Sequence, residues 1–271
     1  SCGSSANGFI YNSLNNKIGE FGEANILAAV DGSKLLTAAS WTDVSFSKNY
    51  TSPVVIAKPP TLAGRDPAVV RIKDVTSTGF KISMQEWPYK DGTHTTEQVS
   101  YVVVEAGSHT LPGTIPLEAG TISTNDEYAN KAEDTGSCTS PVIKTESDSI
   151  SFSTFGSTPV VIASTMTHNN GDAVNARAFS ITNTGAELAL QLQQTVSDTS
   201  SLPTVSSETV GYIAIPVGTV VDATNGWKLE AGIESNVNQA DKAFTFTSSF
   251  FSGVPTFIAG MNSISDLDPA V

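Results

Sequence analysis

The sequence predicts an all-β protein built from tandem antiparallel β-sandwiches, and three observations carry that expectation. Short runs of β-branched and aromatic residues, bounded by Gly, Pro, Asn or Asp, recur along the chain: PVVIA, VVRIKDV, FKISM, VSYVVVEA, SISFSTF, PVVIAS, TVGYIAIPV and AFTFTSSFF. Helical periodicity is scarce. NILAAV (25–30) is apolar enough for a helix, but ELALQLQQ (187–194) alternates Leu188, Leu190 and Leu192, the period of a strand. The third observation is repetition. Strands at this spacing, without helices between them, close as antiparallel sandwiches or barrels.

The repeat is read directly from the residues. VSFSKNYTSPVVIA (44–57) and ISFSTFGSTPVVIA (150–163) share most of one pattern. Pro53 matches Pro159, and the same offset of 106 residues carries Arg71 to Arg177 and Gly79 to Gly185. EQVSYVVVEAG then matches ETVGYIAIPVG, where Tyr101 meets Tyr212 at an offset of 111, so one loop has gained five residues. A period of this length is a domain rather than a solenoid unit. A third copy begins: WKLEAG (227–232) echoes PLEAG (116–120), and FTFTSSFFSGVPTFIAG (244–260) repeats the phenylalanines and the P-x-x-I-A ending. Pro255 lies 202 residues after Pro53, which sets the last four residues, DPAV, on Asp66-Pro67-Ala68-Val69. The expected organisation is an N-terminal segment (1–20), repeat 1 (21–112), repeat 2 (113–222) and a partial third repeat (223–271). A third copy reaching only half a domain is expected to belong to a longer native chain, to be completed by a partner strand, or to serve as a docking arm.

Composition narrows the function classes. The chain of 271 residues has a formal charge of -13 with only 15% charged residues, so its acidity reflects a shortage of Lys and Arg. A net negative chain without a basic run repels phosphate backbones, and nucleic acid is not an expected partner. Low charge, abundant Ser and Thr, 21 Gly and 13 Pro suit an exported β-rich protein, extracellular or at the cell surface. The two cysteines, Cys2 and Cys138, read either as a disulfide or, from SCGSS at the start, as a lipid-attachment Cys2. No apolar run approaches the ~18 residues that span a bilayer.

The stretch RIKDVTSTGFKISMQEW (71–87), followed by QVSYVVVEAG, resembles the H-type lectin domain of snail agglutinins and of the discoidin C-terminal domain. Pro53-Val54-Val55, Arg71, Thr78-Gly79-Phe80-Lys81, Trp87, Tyr101 and Glu105 carry the resemblance in the first copy. The second copy keeps Pro159, Arg177, Thr184-Gly185 and Tyr212, with Ala186 for the Phe and Gln193 at the Trp position. The resemblance implies a six-stranded antiparallel β-sandwich that assembles as a trimer and takes galactose or N-acetylgalactosamine types of sugar near protomer edges. At the family's sugar-contacting positions the first copy has Pro88 for the His after the Trp, and Thr95 at about the place of a further aromatic.

Six residues are candidate ligand contacts. An aromatic face stacks on the C–H face of a pyranose while Arg bonds its hydroxyls, which selects Trp87, the neighbouring Glu86, Arg71 and Arg177. Trp87 falls on the strand face opposite Ile82 and Met84, where a stacking surface and an interface are equal alternatives. Both arginines also suit an architectural role at strand-end carbonyls. His94 and Glu97 form an H-x-x-E pair that can share one site only across a bend, the alternative being a polar network at strand entry. HNNGDAVN (168–175) could offer carbonyls to Ca²⁺ but holds one carboxylate, so no metal and no cofactor is expected. No G-x-S-x-G, H-E-x-x-H, phosphate loop or C-x-x-C occurs, and the chain is read as a non-enzyme. The expectation is a glycan-binding adhesive protein with weak sites on repeated domains, self-associating as a homotrimer or fibre. The alternatives are a structural spacer without sugar binding and, remotest, a piece of a polysaccharide-degrading enzyme.

Overall fold

The computed structural model describes residues 5–26, 36, 40–64, 66–88, 90–131, 142–153, 155–192, 205–235, 237, 242–247 and 250–262. Cys2, Cys138, Gln193, the end of NILAAV and the terminal DPAV lie outside the described residues. Repeat 1 supplies β1 (Ser5–Tyr11), β2 (Lys17–Ile26), β3 (Thr42–Ser45), β4 (Pro53–Pro60), β5 (Ala68–Thr76), β6 (Gly79–Glu86) and β7 (Glu97–Glu105). Repeat 2 supplies β8 (Gly107–Leu111), β9 (Ile115–Thr124), β10 (Glu127–Lys131), β11 (Val142–Thr145), β12 (Asp148–Ser151), β13 (Val160–Thr165), β14 (Val174–Phe179), β15 (Gly185–Leu192) and β16 (Glu208–Ile215). A last hairpin, β17 (Gly218–Asp222) and β18 (Trp227–Ala231), opens the third copy. The chain is all-β, with a 3-10 turn at Pro112–Thr114.

The two repeats are wired alike. In the first, the sheets run β1-β2-β7-β4 and β3-β6-β5; in the second, β8-β9-β16-β13 and β12-β15-β14. The ladders are antiparallel except for a short parallel pairing of β10 with β15, which extends the second sheet through the β10–β11 hairpin. In each repeat one apolar cluster draws side chains from both sheets. Ala24, Val55, Val99, Tyr101 and Val103 meet Ile72, Phe80, Ile82 and Met84 in the first. Val161, Ala163, Val210 and Tyr212 meet Ala176, Leu188, Leu190 and Phe152 in the second. The alternation of Leu188, Leu190 and Leu192 thus marks the face of β15 turned to the repeat 2 core, as its period of two requires. Each such side chain contributes roughly 1.5–3 kcal/mol on leaving water.

Gly79 and Gly185 show why the T-G motif recurs. A Cβ at Gly79 would stand 2.3 Å from the carbonyl oxygen of Val44, and one at Gly185 2.4 Å from that of Ile150. Each glycine lets β6 or β15 approach the neighbouring strand end, Ser45 or Ser151, at the last rung of the ladder. Gly79→Ala and Gly185→Ala should each lose about 1–3 kcal/mol in urea unfolding. Gly156→Ala, where nothing lies within 4 Å, should leave the midpoint in place.

The hairpins of the three copies gather together. Ser13 N donates to Thr110 O at 2.7 Å, Asn225 Nδ2 donates to Asn15 Oδ1 at 2.7 Å, and β17 packs on the Pro112–Thr114 turn. Beneath them a third apolar cluster joins Ile10, Ile18, Val54 and Val104 of repeat 1 to Leu117, Val160 and Ile215 of repeat 2 and Val220 and Trp227 of the third copy. The strands therefore cross all three boundaries expected from sequence: β2 runs through residue 20, the β8–β9 hairpin straddles residue 112, and the β17–β18 hairpin straddles residue 222. Farther along the same surfaces, Ala259 N lies 3.4 Å from Lys58 O, and a Cβ at Gly260 would sit 3.6 Å from Ile162. Lys58, Ser164 and Gly260 are equivalent positions of the three copies, and Ala57 N donates to Ser164 Oγ at 3.4 Å, so equivalent segments of the copies meet here. The described part of AFTFTSSFF is not a strand as expected. It has no ladder partner among the described residues, and its rings pack on one another instead, Phe246 against Phe251 at 5.4 Å and Phe244 against Phe257 at 6.0 Å.

Candidate functional site at the junction between repeats

Arg71 sits in β5 on the face turned away from the repeat 1 core, and that face is covered by the 167–173 loop of repeat 2. Its Nη1 donates to Asp172 O at 2.8 Å and Gln85 Oε1 at 3.3 Å. Its Nη2 donates to Asn170 O at 3.5 Å and to Glu208 Oε1 at 3.0 Å. Gln85 Nε2 reaches the intervening carbonyl, Gly171 O, at 2.5 Å. One Arg and one Gln thus satisfy three successive carbonyls of the next repeat. Both members of the Arg71–Glu208 ion pair have 0% exposed side chains. Burial pulls the Arg71 guanidinium down to about 10 against the opposing effect of Glu208, which leaves it charged at neutral pH.

Glu208 is held by its own repeat. Thr167 Oγ1 donates to it, as do Asn169 N at 3.0 Å, Asn170 N at 3.1 Å and Asn170 Nδ2 at 2.8 Å. The same cradle exists in repeat 1, where Glu97 accepts from Thr61 Oγ1, Ala63 N at 3.1 Å and Gly64 N at 2.7 Å. These donors hold the Glu97 carboxyl below its usual range despite burial, which is the largest influence and works the other way. Where repeat 2 receives Arg71 on Asp172 O, repeat 1 places His94, whose Nε2 lies 2.8 Å from the equivalent Asp66 O. His94 Nδ1 is 3.8 Å from Glu97 Oε1. The two residues do share a site: His94 precedes β7 rather than lying within it, so the strand's alternation of faces does not separate them.

The other candidates from sequence are buried too. Trp87 is 2% exposed and packs with Val69 and, across the junction, Ala173 of repeat 2. The face assignment from sequence holds, but repeat 2 covers that face and the indole presents no open surface for stacking. Glu86 lies at the end of β6, accepts from Gly92 N at 2.9 Å, and is pushed up by burial and then by Asp66 and Asp91. Arg177 repeats the Arg71 arrangement within its own repeat, donating from Nη1 to Gln191 Oε1 at 2.6 Å. Arg71, Glu86, Trp87, His94, Glu97 and Arg177 all lie in the interior, six contacts with neighbouring chain rather than with solvent. The carbonyls of HNNGDAVN that could have faced a cation are occupied by Arg71 and Gln85.

Sequence reading missed three participants. Trp41 meets His168 edge-on at 5.2 Å, and Lys73 Nζ stands 4.3 Å from the Trp41 ring. Lys58 of repeat 1 donates to Ala176 O at 3.2 Å and Asn175 Oδ1 at 3.4 Å; burial, then Arg177, lowers it to about 7. The signal in the sequence was the retention, in both copies, of Arg71 as Arg177 and of Glu97 as Glu208, the first residues of the matched EQVSYVVVEAG and ETVGYIAIPVG.

His168 gives the junction an acid limit. Burial, then Arg71, lowers it to about 4. The unfolded chain takes up that proton near 6.5, so between those values the unfolded state binds more protons and stability falls with acidification. The melting temperature should drop as pH falls from about 6.5 to 4, and His168→Gln should flatten that segment of the profile.

Beside the junction, a cleft of about 170 Å³ is lined by Asn169, Asn170, Asp172, Leu192, Val205 and Ser206. It is smaller than the ~300 Å³ at which pockets begin to enclose drug-sized ligands. Asn170 is engaged in closing the loop, since its Oδ1 accepts from Ser206 N at 2.7 Å.

No family model matches the chain, and no solved structure matches it. Among curated proteins it is similar to Halomucin of Haloquadratum walsbyi (strain DSM 16790 / HBSQ001), 30% identical over 228 residues, an alignment that takes in 81% of this chain. The chain spans only about 2% of the length of Halomucin.

Proposed function

We propose that the chain is a stiff structural module of a secreted or surface-displayed protein, made of H-type-lectin-like repeats locked to one another. The observation that carries this reading is the fully buried Arg71–Glu208 pair, which joins repeats that also share an apolar cluster. A flexible string of independent binding domains would have no use for such a junction. In this reading each repeat is an antiparallel sandwich of a four-stranded and a three-stranded sheet rather than the six strands expected from the resemblance, supported by the duplicated strand order and by a core that draws on both sheets. The three copies take the places of three protomers around one axis. An extracellular or surface setting is supported by the composition and by the similarity to a small part of Halomucin. The module is non-catalytic.

A second reading, adhesion through glycans, rests on the cleft beside the junction, where Asp172 and Ser206 could meet sugar hydroxyls. The two separate on a glycan array probed with the whole chain. The structural reading expects no glycan to be retained. Retention that Asp172→Ala abolishes, with the melting temperature unchanged, would replace it by the adhesive one.

A further inference from the structure

We propose that Asp66, Glu86 and Asp91 of repeat 1 bind a divalent cation of the calcium class. Their carboxylate oxygens lie within 4.8 Å of one another. Glu86 is 7% exposed, and although Oε2 accepts from Gly92 N, its Oε1 is buried with no hydrogen-bond partner. A buried carboxylate oxygen without a donor is costly unless a cation meets it. Lys90 Nζ pairs with Asp66 Oδ1 at 2.7 Å.

The fold does not demand Glu86. At the equivalent place in repeat 2, β15 ends in Leu192 and Asp172 stands for Asp66, with Val205 in the position of His94. That place is the open cleft, and repeat 2 builds the same strand end without an acid. The carboxylate at Glu86 therefore belongs to something repeat 1 does in addition to folding.

The donor chemistry selects the ion. All three side chains offer oxygen, which suits hard cations rather than zinc or copper. Calcium accepts irregular sets of oxygens at about 2.3–2.6 Å, whereas magnesium demands near-octahedral geometry at about 2.1 Å and keeps most of its waters. Bound there, the ion would tie the loop after β6 to the 61–66 loop that cradles Glu97. The inference is independent of whether the module binds glycans.

Terbium luminescence on the whole chain tests it, because Trp87 adjoins the cluster and can sensitise the ion. Expected are saturable emission, competition by Ca²⁺ in preference to Mg²⁺, and at least a tenfold loss of affinity in Glu86→Gln and Asp91→Asn. Glu86→Leu, which copies the second repeat, should fold and also lose the signal. Asp43→Asn, an exposed carboxylate elsewhere, should keep it. Calcium should raise the melting temperature of the wild type above that in KCl of equal ionic strength, and not that of Glu86→Leu. Absent emission, undiminished binding in Glu86→Gln, or equal loss in Asp43→Asn would overturn the site.

Discussion

Alanine at Glu208 is expected to destabilise the chain by about 3–5 kcal/mol, because it leaves a buried guanidinium without its counter-charge. The backbone N–H groups of Asn169 and Asn170 lose their acceptor in the same step. Arg71→Met should be milder. The carboxylate it leaves behind keeps Thr167, Asn169 and Asn170 as donors, and a methionine stem can fill much of the space. That asymmetry distinguishes a cradled acid from an ordinary ion pair. In urea unfolding, the double variant should be less destabilised than the sum of its parts, since the second change removes a group the first had orphaned. Equal effects from the two single variants would contradict the role given to the cradle.

The second large effect is Trp87→Ala, with an expected loss of about 3–5 kcal/mol from the cavity it opens among buried neighbours. Trp87 touches Ala173 of the other repeat, so the loss weakens the junction as well as the end of β6. If the indole served a sugar instead, the variant would keep its urea midpoint and lose only ligand. A shifted midpoint with any glycan retention unchanged at matched folded fraction is the result predicted here.

Much of the architecture was legible in the residues. Alternation in ELALQLQQ gave β15, and the 106-residue offset from Pro53 to Pro159 anticipated two equally wired units. The offset also matched Gly79 with Gly185, whose shared constraint is the close carbonyl each one faces. Local periodicity reports which face of a strand is apolar, but not what covers the other face. That is why Trp87 was placed on the correct side and its cover, Ala173, was invisible. The partners of Arg71 are backbone carbonyls about a hundred residues away, and carbonyls carry no side-chain signature. His94 was named from sequence, but its partner was hidden for a related reason: it stands at Asp66 O in repeat 1 where Arg71 stands at Asp172 O in repeat 2, a substitution of function without likeness of sequence. The phenylalanines of the third copy repeat the strand pattern, yet without a ladder they pack ring on ring.

Differential scanning calorimetry of the whole chain tests most directly whether the repeats are one body. A single transition whose calorimetric and van't Hoff enthalpies agree is predicted for the wild type, and separate transitions for Glu208→Ala. Two resolved transitions in the wild type would show that the buried junction does not join the repeats.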